Sequence, residues 1–282
     1  MAPGSAAMIA SFIDGQANAL LPISDRGLHY GDGLFTSLRV HDGRPCWLAA
    51  HGERLRQGAE RLALPMVAAA VLIGEIEQAA ALPNAGVIKV LLTRGDGARG
   101  YAPGPSSTRR IVLVYRAPLI DPMLYQQGIR LRWCATQLGE QPRLAGIKHL
   151  NRLEQVLARG EWQGADIGEG LMCDAQDRVI AATSANLFAR FGTELLTPAL
   201  DRCGIAGLCR AAVLATPAPG FTVAVANLSR LDLRSADELF LSNCLRGIVP
   251  VQELAGQRYP SMQAARRWMQ SLHPALGLPT PI

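Results

Sequence analysis

Strand-like apolar runs alternate with amphipathic helical runs through both halves of the chain, and this order limits the possible folds most strongly. In the first half, the strand-like runs are residues 8–13, 17–21, 34–40, 87–93 and 111–115. Two helical runs, 49–62 and 67–81, lie among them. No internal repeat is visible. A chain that mixes hairpins with helices in this way is expected to form an α+β or mixed α/β fold.

The second half continues the same mixture and predicts a second domain. Its strand-like runs are residues 129–134, 168–173, 178–183, 186–190, 194–197, 221–226, 238–242 and 248–252. Its helical runs are a segment that ends near 159, a short one between 226 and 238, 208–215 and 261–272. Residues 117–122 carry two prolines without periodicity, which is typical of a linker. We predict a small N-terminal α/β domain at 1–117, a linker at 118–124 and a larger C-terminal domain at 125–282.

The chain is basic, and arginine carries almost all of the positive charge. The net charge is +5, and Lys89 and Lys148 are the only lysines. No run of Lys and Arg exceeds two residues and aromatic residues make up 5% of the chain, so we expect no nucleic-acid partner. Scattered arginine suits the recognition of carboxylates and phosphates by the planar guanidinium. The same excess also fits a compositional bias of the genome.

Composition argues against three other classes of protein. The longest apolar run, residues 62–74, contains Pro65 and is too short to span a bilayer, so we expect no membrane association. Residues 1–10 lack a basic segment followed by an apolar core, so we expect no secretory signal. The six cysteines show neither a CxxC motif nor regular spacing. They indicate reduced thiols of a cytoplasmic protein, without a disulfide framework or a metal site.

Lys148 lies in a mid-chain stretch, residues 144–155, where a loop leads into a helical run. A polar cluster follows the lysine directly. By position alone, Lys148 is either a solvated side chain near the start of a helix or a nucleophile that binds a carbonyl group. The sequence around it does not separate these two interpretations.

Other segments could bind anions. Residues 204–208 form a glycine-bearing entry to a helix, which is either an ordinary helix start or a phosphate site. Arg54 follows His51 on a helical run and is either solvated or bound to an anion. Residues 94–104 form a long glycine-rich loop, and such loops more often serve function than structure. A lysine, a phosphate-ready helix start and an arginine together favour pyridoxal phosphate as cofactor.

Five parts of the sequence resemble the fold-type IV pyridoxal-phosphate enzymes, the family of the branched-chain and D-amino-acid aminotransferases. The matching segments are residues 24–26 with 31–36, 50–55, 94–95 with 99–101, 144–155 and 185–188. They occur in the family's order and cover most of the chain. The resemblance implies a small α/β domain, a larger domain with a pseudo-barrel, pyridoxal 5′-phosphate as cofactor and a homodimer.

Within this family, the run 147–154 (Ile-Lys-His-Leu-Asn-Arg-Leu-Glu) resembles the lyase branch and differs from the aminotransferases. The lyases of this branch convert 4-amino-4-deoxychorismate to 4-aminobenzoate and pyruvate in folate biosynthesis. The resemblance implies this activity, with Lys148 as Schiff-base lysine and general acid/base. The alternatives are a D-amino-acid or branched-chain aminotransferase of the same fold and a non-catalytic protein that binds pyridoxal phosphate or a metabolite.

The resemblance also assigns roles by position. Lys148 resembles the catalytic lysine that binds the cofactor, and Arg54 resembles the arginine that binds the cofactor's phosphate. Further cofactor contacts are implied for Thr183, Ser184, Leu208, Cys209, Asn243 and Cys244. Positions near the substrate are implied for Tyr30, Thr36, Arg94, Arg99 and Tyr101.

The sequence departs from the family pattern at Ala181. Most members carry a glutamate there, five residues before Asn186, and its carboxylate keeps the pyridine nitrogen of the cofactor protonated. Without that anion the electron sink is expected to be weaker. Glu169 on the preceding strand is a possible substitute. A regular hairpin would place Glu169 on the face of Ala182, whereas a one-residue bulge would place it on the face of Ala181, and the sequence leaves both open.

Overall fold

The computed structural model describes residues 7–280 of the 282-residue chain. Residues 1–6 and 281–282, which lie at the outer ends of the two predicted domains, are outside the described residues, as is most of the segment considered for a secretory signal. The chain forms two compact units. One extends to Leu119 and includes Lys148–Asn151, and the other comprises Ile120–Ile147 and the chain from Arg152 onward.

The first unit is an antiparallel sheet with helices. Its strands are β1 (Met8–Ile13), β2 (Gln16–Ala17), β3 (Gly33–His41), β4 (Arg44–Pro45), β5 (Val87–Thr93) and β6 (Arg109–Tyr115), in the order β2-β1-β6-β5-β3-β4. Its helices are α1 (Arg26–Tyr30), α2 (Leu48–Arg61) and α3 (Ala69–Ala80). The buried residues of α2 recur every three or four positions, at His51, Leu55, Gly58 and Ala59, and so form one face of the helix.

Alternate residues of β3 divide between two faces of that sheet. Leu34, Leu38 and Val40 point into the core of the unit, where they pack with buried residues of β5 and of α2 and α3. Phe35, an odd-numbered residue of β3, lies on the opposite face and is partly exposed. The strand thereby presents one apolar face for packing and a second face that is available for the residues described below.

The second unit is a larger mixed sheet with five α-helices in its described part. The strands are β7 (Ile129–Trp133), β8 (Glu169–Cys173), β9 (Arg178–Ala182), β10 (Asn186–Phe191), β11 (Glu194–Pro198), β12 (Thr222–Ala226), β13 (Leu228–Ser229), β14 (Glu238–Asn243), β15 (Gly247–Leu254) and β16 (Gln257–Arg258). They follow the order β12-β11-β10-β14-β15-β7-β8-β9-β13, and β16 pairs with β15. The helices are α4 (Met123–Gln127), α5 (Leu153–Arg159), α6 (Leu208–Ala215), α7 (Arg230–Ser235) and α8 (Gln263–Leu272).

An aromatic cluster fills the core of the second unit beside β10 and β14. The rings of Phe188 and Phe240 stack with centroids 4.9 Å apart, and the ring of Trp268 on α8 lies 6.2 Å from Phe240. All three side chains are fully buried. Burial of such large aromatic groups stabilises the sheet by its area and by the ring geometry.

The predicted mixed α/β class is confirmed, and the differences from the sequence prediction are local. Two five-residue helices were not predicted, because they are too short to show a periodic pattern. Asp25 caps α1 by accepting a hydrogen bond from the Gly27 amide. Helix α4 begins at Met123, inside the predicted linker 118–124, and the segment Lys148–Asn151 groups with the first unit. The domain boundaries drawn from the sequence stay a prediction.

All six cysteines lie among the described residues and are free thiols. Burial raises the pKa of Cys134 and of Cys203 to about 12, which keeps both thiols protonated near neutral pH. Across residues 7–280, no helix has the length and apolar character needed to cross a membrane.

Candidate functional site

Lys148 is held against the beginning of strand β3 by backbone hydrogen bonds. The Phe35 amide donates to the Lys148 carbonyl at 2.9 Å, and the Leu150 amide donates to the Gly33 carbonyl at 3.0 Å. Between these two bonds, His149 forms an antiparallel bridge with Leu34. The lysine is therefore part of a short strand-like segment, five residues before α5 begins at Leu153.

Two glycines allow this segment to approach the backbone. A Cβ atom on Gly33 would come within 2.9 Å of the Leu150 side chain in this segment, as well as within 2.3 Å of the Leu92 carbonyl oxygen on β5. A Cβ atom on Gly31, which has φ of 63°, would come within 2.5 Å of the Asn151 side chain. Asn151 in turn donates through Nδ2 to the Gly31 carbonyl at 3.3 Å. Glycine at both positions is thus a steric requirement of the docking of Lys148–Asn151.

The Lys148 ammonium faces an aromatic ring. Its Nζ lies 4.3 Å from the centroid of Phe35, a distance at which the cation is attracted by the π-face. The Nζ of Lys89 lies 5.0 Å from the same centroid. Burial lowers the pKa of Lys89. Both lysines of the chain are therefore assembled around one phenylalanine.

Arg54 extends from α2 to a hydroxyl on β3. Its Nη2 donates to the Oγ1 of Thr36 and lies 3.3 Å from the Nδ1 of His51. The Thr36 Oγ1 and His51 Nδ1 are 2.6 Å apart, and both side chains are buried. The structure thus brings two predicted residues, Thr36 and Arg54, together with a histidine that was not predicted as a site residue.

His51 is uncharged in this environment. Burial and the positive charges of Arg54 and Lys148 lower the pKa of His51 to about 3. Of the three basic side chains His51, Arg54 and Lys148, at most two therefore carry a charge at neutral pH. A neutral imidazole accepts a hydrogen bond, whereas an imidazolium would repel the guanidinium beside it.

Arg94, which was predicted to lie near the substrate, donates its hydrogen bonds to other groups of the protein. Its Nε donates to Asp32 at 2.7 Å, its Nη1 to the Ala63 carbonyl at 2.8 Å and its Nη2 to the Leu62 carbonyl at 2.9 Å. All three guanidinium nitrogens have protein acceptors, and the side chain is 8% exposed. Its position indicates a structural role for Arg94, which holds the entry to the glycine-rich loop.

Tyr30 and Tyr101 meet at the other end of that loop. Their ring centroids are 5.5 Å apart, and the Gly100 amide donates to the Tyr30 hydroxyl at 3.2 Å. Arg26 fixes the same turn, because its Nη1 donates to the Gly100 carbonyl at 2.8 Å. Tyr101 and Arg99 are exposed to solvent. Among the predicted substrate residues of this loop, these two have side chains that are exposed to solvent.

In the second unit, Glu169 accepts hydrogen bonds from two residues that were predicted to contact the cofactor. The Oγ1 of Thr183 and the Oγ of Ser184 each donate to one carboxylate oxygen of Glu169. The Nη2 of Arg246 donates to the same carboxylate at 2.7 Å and to Ser184 at 3.2 Å. Glu169 is 4% exposed, so its charge is compensated by Arg246 and by hydroxyl donors inside the protein.

The strand register answers the question left open for Glu169. Leu171 pairs with Ala182 and Met172 with Ala181, and an irregularity follows at Cys173. Glu169 precedes Leu171 by two residues and therefore lies on the face of Ala182. A bulge is present, but it does not bring Glu169 to the face of Ala181. Ala181 instead belongs to a cluster of buried apolar residues.

The start of α6 is shaped by Asn186. Its Nδ2 donates to the Ile205 carbonyl at 2.9 Å, and its Oδ1 accepts from the Gly207 amide at 3.2 Å. These bonds fix the turn before Leu208 and Cys209, whose amides begin the first turn of the helix. That turn contains no acidic residue. Unpaired amides and a positive dipole end fit a phosphate group.

The Asn243–Cys244 loop was also predicted near the phosphate. The Oδ1 of Asn243 accepts from the amides of Leu245 and Arg246 at 3.0 and 2.8 Å, so Asn243 builds the turn that presents Arg246. Its Nδ2 donates to the Ser184 carbonyl at 3.3 Å. Cys244 is buried beside Cys209. Burial and the neighbouring Cys244 raise the pKa of the Cys209 thiol well above its usual value, so Cys209 is not a nucleophile at neutral pH.

The residues that sequence reasoning missed are His51, Asp32 and Arg246. His51 lies three residues before Arg54 on the same helical run, and this spacing was a usable signal. Asp32 lies inside a segment that matches the family, but its partner Arg94 is 62 positions away. Arg246 had no such signal, because its contact with Glu169 joins residues 77 positions apart. Within the described residues, no group of His, Cys, Asp and Glu could hold a metal ion.

The donor chemistry fits a phosphorylated aldehyde. An amine against an aromatic face suits a carbonyl carbon, and an arginine beside uncharged partners suits a phosphate. A helix start without acidic residues is likewise suited to a phosphate group. The residues present in each unit therefore match the groups that pyridoxal 5′-phosphate requires.

Comparisons with known proteins agree on one family. The amino-transferase class IV family matches residues 33–254. The aminodeoxychorismate lyase of Vibrio harveyi is 32% identical over 271 residues, which cover 93% of this chain and 99% of that protein. The crystal structure of 4-amino-4-deoxychorismate lyase from Pseudomonas aeruginosa is 42% identical with a TM-score of 0.88, over 94% of this chain and 98% of that one. A putative branched-chain-amino-acid aminotransferase of Methanocaldococcus jannaschii is 29% identical over 87% of this chain and 86% of that protein.

Proposed function

This chain belongs to the amino-transferase class IV family, and we propose that it is a pyridoxal-phosphate-dependent lyase that converts 4-amino-4-deoxychorismate to 4-aminobenzoate and pyruvate. The observation that carries the proposal is the similarity, over nearly the whole chain, to two proteins named as this lyase. The run 147–154, which resembles the lyase branch, supports the same choice.

Pyridoxal 5′-phosphate, when bound, supplies an electron sink for cleavage of a bond close to the substrate's amine. In the first unit, we assign Lys148 to the cofactor's aldehyde carbon and Arg54 to its phosphate. In the second unit, the amides of Leu208 and Cys209 are the further phosphate donors. The remaining proposed cofactor contacts are Thr183, Ser184, Asn243 and Cys244.

Lys148 also moves the protons of the reaction. Its Nζ, as a free amine, removes the proton from the ring carbon that bears the substrate's nitrogen. The enolpyruvyl ether then leaves from the adjacent carbon, and Lys148 Nζ is the group assigned to protonate the departing methylene. Loss of the ether makes the ring aromatic, which provides driving force for the elimination.

The substrate carries two carboxylates, and cationic side chains are the natural partners for them. Arg99 and Tyr101 are exposed on the glycine-rich loop and are the residues of that loop that we assign to the substrate. Tyr30 supports Tyr101 through its ring contact. Arg94 and Thr36, in contrast, are engaged by protein partners and act on the site indirectly.

Incubation of the purified protein with 4-amino-4-deoxychorismate tests the proposal directly. We expect 4-aminobenzoate, followed by its fluorescence, together with an equal amount of pyruvate. Lys148→Ala is expected to reduce the rate by about 10³-fold or more, since it removes both the cofactor's amine partner and the acid/base group. Absence of 4-aminobenzoate from the wild-type reaction would refute the proposed activity.

The same assay separates the alternatives. A branched-chain or D-amino-acid aminotransferase would instead convert an amino acid and a keto acid without forming 4-aminobenzoate. A protein that only binds pyridoxal phosphate or a metabolite would show cofactor absorbance and neither reaction. Ala181, in the position where most relatives carry a glutamate, argues against transamination as the main activity.

We further propose that the enzyme works in the cytoplasm as a homodimer in folate biosynthesis. The family resemblance supports the dimer and the pathway, and the six free thiols support a reducing compartment. A mass in solution of twice that of one chain is expected, and a monomeric mass for active enzyme would refute the dimer.

A further inference from the structure

Three buried or half-buried side chains of the first unit share one hydrogen-bonded corner. His51 lies one turn before Arg54 on α2 and is 1% exposed, and Thr36 on β3 is fully buried. The Thr36 Oγ1 and His51 Nδ1 are 2.6 Å apart, and Arg54 Nη2 lies 3.3 Å from that same Nδ1. Arg54 Nη2 also donates to Thr36 Oγ1. His51 is therefore joined to Arg54 both directly and through Thr36.

The number of available protons fixes the direction of these bonds. A guanidinium only donates, so the Thr36 oxygen is the acceptor in its bond to Arg54. His51 Nδ1 lies 3.3 Å from the same Arg54 Nη2, which can only donate, so Nδ1 is an acceptor and the Thr36 hydroxyl donates to it at 2.6 Å. Nδ1 must consequently lack a proton, and the neutral ring carries its proton on Nε2. In this tautomer Nδ1 accepts from the threonine and faces the Arg54 N–H.

The uncharged state of His51 suits this geometry. A protonated ring would direct an Nδ1–H group at Arg54 and would add a positive charge close to Arg54 and Lys148. A carboxylate in place of His51 would hold Arg54 but would cancel its charge, as Asp32 does for Arg94. A neutral acceptor such as His51 Nδ1 holds the guanidinium without cancelling its positive charge.

We propose that His51 is a positioning residue that, through Nδ1 and the Thr36 hydroxyl, fixes the guanidinium of Arg54 for the binding of a phosphate group. The inference rests on the proposed function, under which Arg54 binds the phosphate of pyridoxal 5′-phosphate. It gives His51 a role in cofactor retention. It also assigns Thr36 to the positioning of Arg54 instead of to the binding of the substrate.

A matched pair of variants tests the proposal through cofactor affinity. In His51→Asn, the amide oxygen lies close to the position of Nδ1 and keeps an acceptor, whereas His51→Leu has similar bulk and no acceptor. Apoenzyme of each variant is titrated with pyridoxal 5′-phosphate, and the dissociation constant is read from the absorbance of the bound cofactor. We expect His51→Leu to bind about 10- to 100-fold more weakly, the range for loss of a hydrogen bond to a charged group. His51→Asn is expected to stay within a few-fold of the wild type.

A double-mutant cycle separates positioning from a general structural effect. In an Arg54→Met background, His51→Leu should change the cofactor dissociation constant little further, because the residue through which it acts is gone. Thr36→Val should reproduce the loss seen in His51→Leu, and Thr36→Ser should retain most of the affinity. The comparison of Thr36→Val with Thr36→Ser still tests the proposal if His51→Leu does not fold.

The possible failures can be told apart. If the wild-type apoenzyme does not bind pyridoxal 5′-phosphate, the proposed function and this inference are both refuted. If the wild type binds but His51→Asn is as weak as His51→Leu, the inference alone is overturned. Full additivity of His51→Leu with Arg54→Met would overturn it equally, since a residue that acts through Arg54 cannot have an independent effect.

Discussion

Arg54 and Arg94 belong to the same unit of the protein, yet their surroundings differ in the charge of the acceptor. Arg94 is bound by the Asp32 carboxylate at 2.7 Å and by two backbone carbonyls. Arg54 donates to the hydroxyl of Thr36 and lies beside the neutral ring of His51. A carboxylate fixes a guanidinium and cancels its charge, whereas neutral partners fix it without cancelling that charge.

This difference shows how one residue type serves two purposes in a chain rich in arginine. Arg94 holds the backbone at the entry to the glycine-rich loop, and Arg54 is placed to hold an anion. The second unit contains another arginine whose charge is balanced by a carboxylate, because Arg246 is paired with the buried Glu169 at 2.7 Å. The charge of the immediate partners, which is a property of the fold, therefore distinguishes Arg94 and Arg246 from Arg54, the arginine that we propose binds a ligand.

Replacement of each arginine by methionine gives the largest expected contrast. Arg94→Met should lower the free energy of unfolding by about 3–5 kcal/mol, because it breaks a buried ion pair and leaves carbonyl groups without donors. Arg54→Met should change stability far less but weaken pyridoxal 5′-phosphate binding by about 100-fold, the scale of a lost charge-assisted contact. Denaturant unfolding of the apoenzymes and cofactor titration measure the two effects. Equal losses of stability for both variants would remove the distinction.

Asp32→Asn tests the role of the carboxylate beside Arg94, through the pH dependence of its effect on the free energy of unfolding. Burial alone would raise the pKa of Asp32, but the hydrogen bonds and charges of Arg94 and Arg26 outweigh it and hold that pKa below its usual value. A depressed native pKa means that the stabilisation is present at neutral pH and is lost as the pH falls through the native pKa. Asp32→Asn should thus cost about 2 kcal/mol at pH 7.

The cost of Asp32→Asn should shrink below about pH 4, where the unfolded aspartate also begins to take up protons. Unfolding of the wild type and the variant at a series of pH values measures this difference. A cost that did not change between pH 7 and pH 3 would show that the charge of Asp32 is not what holds the two arginines.

Arg246→Met tests the compensated pair of the second unit. The variant leaves the buried Glu169 carboxylate with hydroxyl donors only, and we expect a loss of about 1–2 kcal/mol in the free energy of unfolding. The double variant Arg246→Met with Glu169→Gln should recover part of that loss, because no unpaired charge remains. Thermal or denaturant unfolding of both proteins gives the comparison. No recovery in the double variant would argue that Glu169 and Arg246 are not coupled.

Ala181→Glu has the smallest expected effect and concerns the cofactor ring. Restoring a carboxylate where most relatives have one should strengthen the electron sink, which transamination needs more than an elimination that yields an aromatic product. We expect side transamination to rise several-fold relative to lyase turnover. Ala182→Glu is the matched control, since both alanines are buried but lie on opposite faces of β9. A variant without a gain in transamination would refute this interpretation of Ala181.

Much of the fold could be predicted from the sequence because apolar spacing records it directly. Strand β5 (Val87–Thr93) and helix α6 (Leu208–Ala215) have the predicted bounds. The short helices α1 and α4 could not be predicted, because five residues give no period and α1 depends on the Asp25 cap. The hydrophobic pattern of the sequence thus predicts helices and strands that bury one face. It does not predict short helices that are stabilised mainly by local hydrogen bonds.

The site was less predictable, because its residues are selected by tertiary contacts. Lys148 was assigned by resemblance, but its attachment to β3 through Phe35 and Gly33 has no signature in the sequence. Glu169 lies on the face of Ala182, as a regular hairpin would place it, but the sequence could not exclude a bulge that would reverse this, and the bulge present at Cys173 does not do so. The resemblance implied a ligand for both arginines, the cofactor's phosphate for Arg54 and the substrate for Arg94. Only the partners of Arg94 in the structure, Asp32 and two backbone carbonyls, indicate that it is held by the protein.

The attachment of the cofactor to Lys148 is the central claim, and the chain makes it simple to test because Lys89 and Lys148 are its only lysines. The enzyme loaded with pyridoxal 5′-phosphate is reduced with borohydride, digested and analysed by mass spectrometry. We predict the reduced cofactor on the peptide that contains Lys148 and an unmodified Lys89. Modification of Lys89, or no modified lysine in protein that has bound the cofactor, would contradict the account.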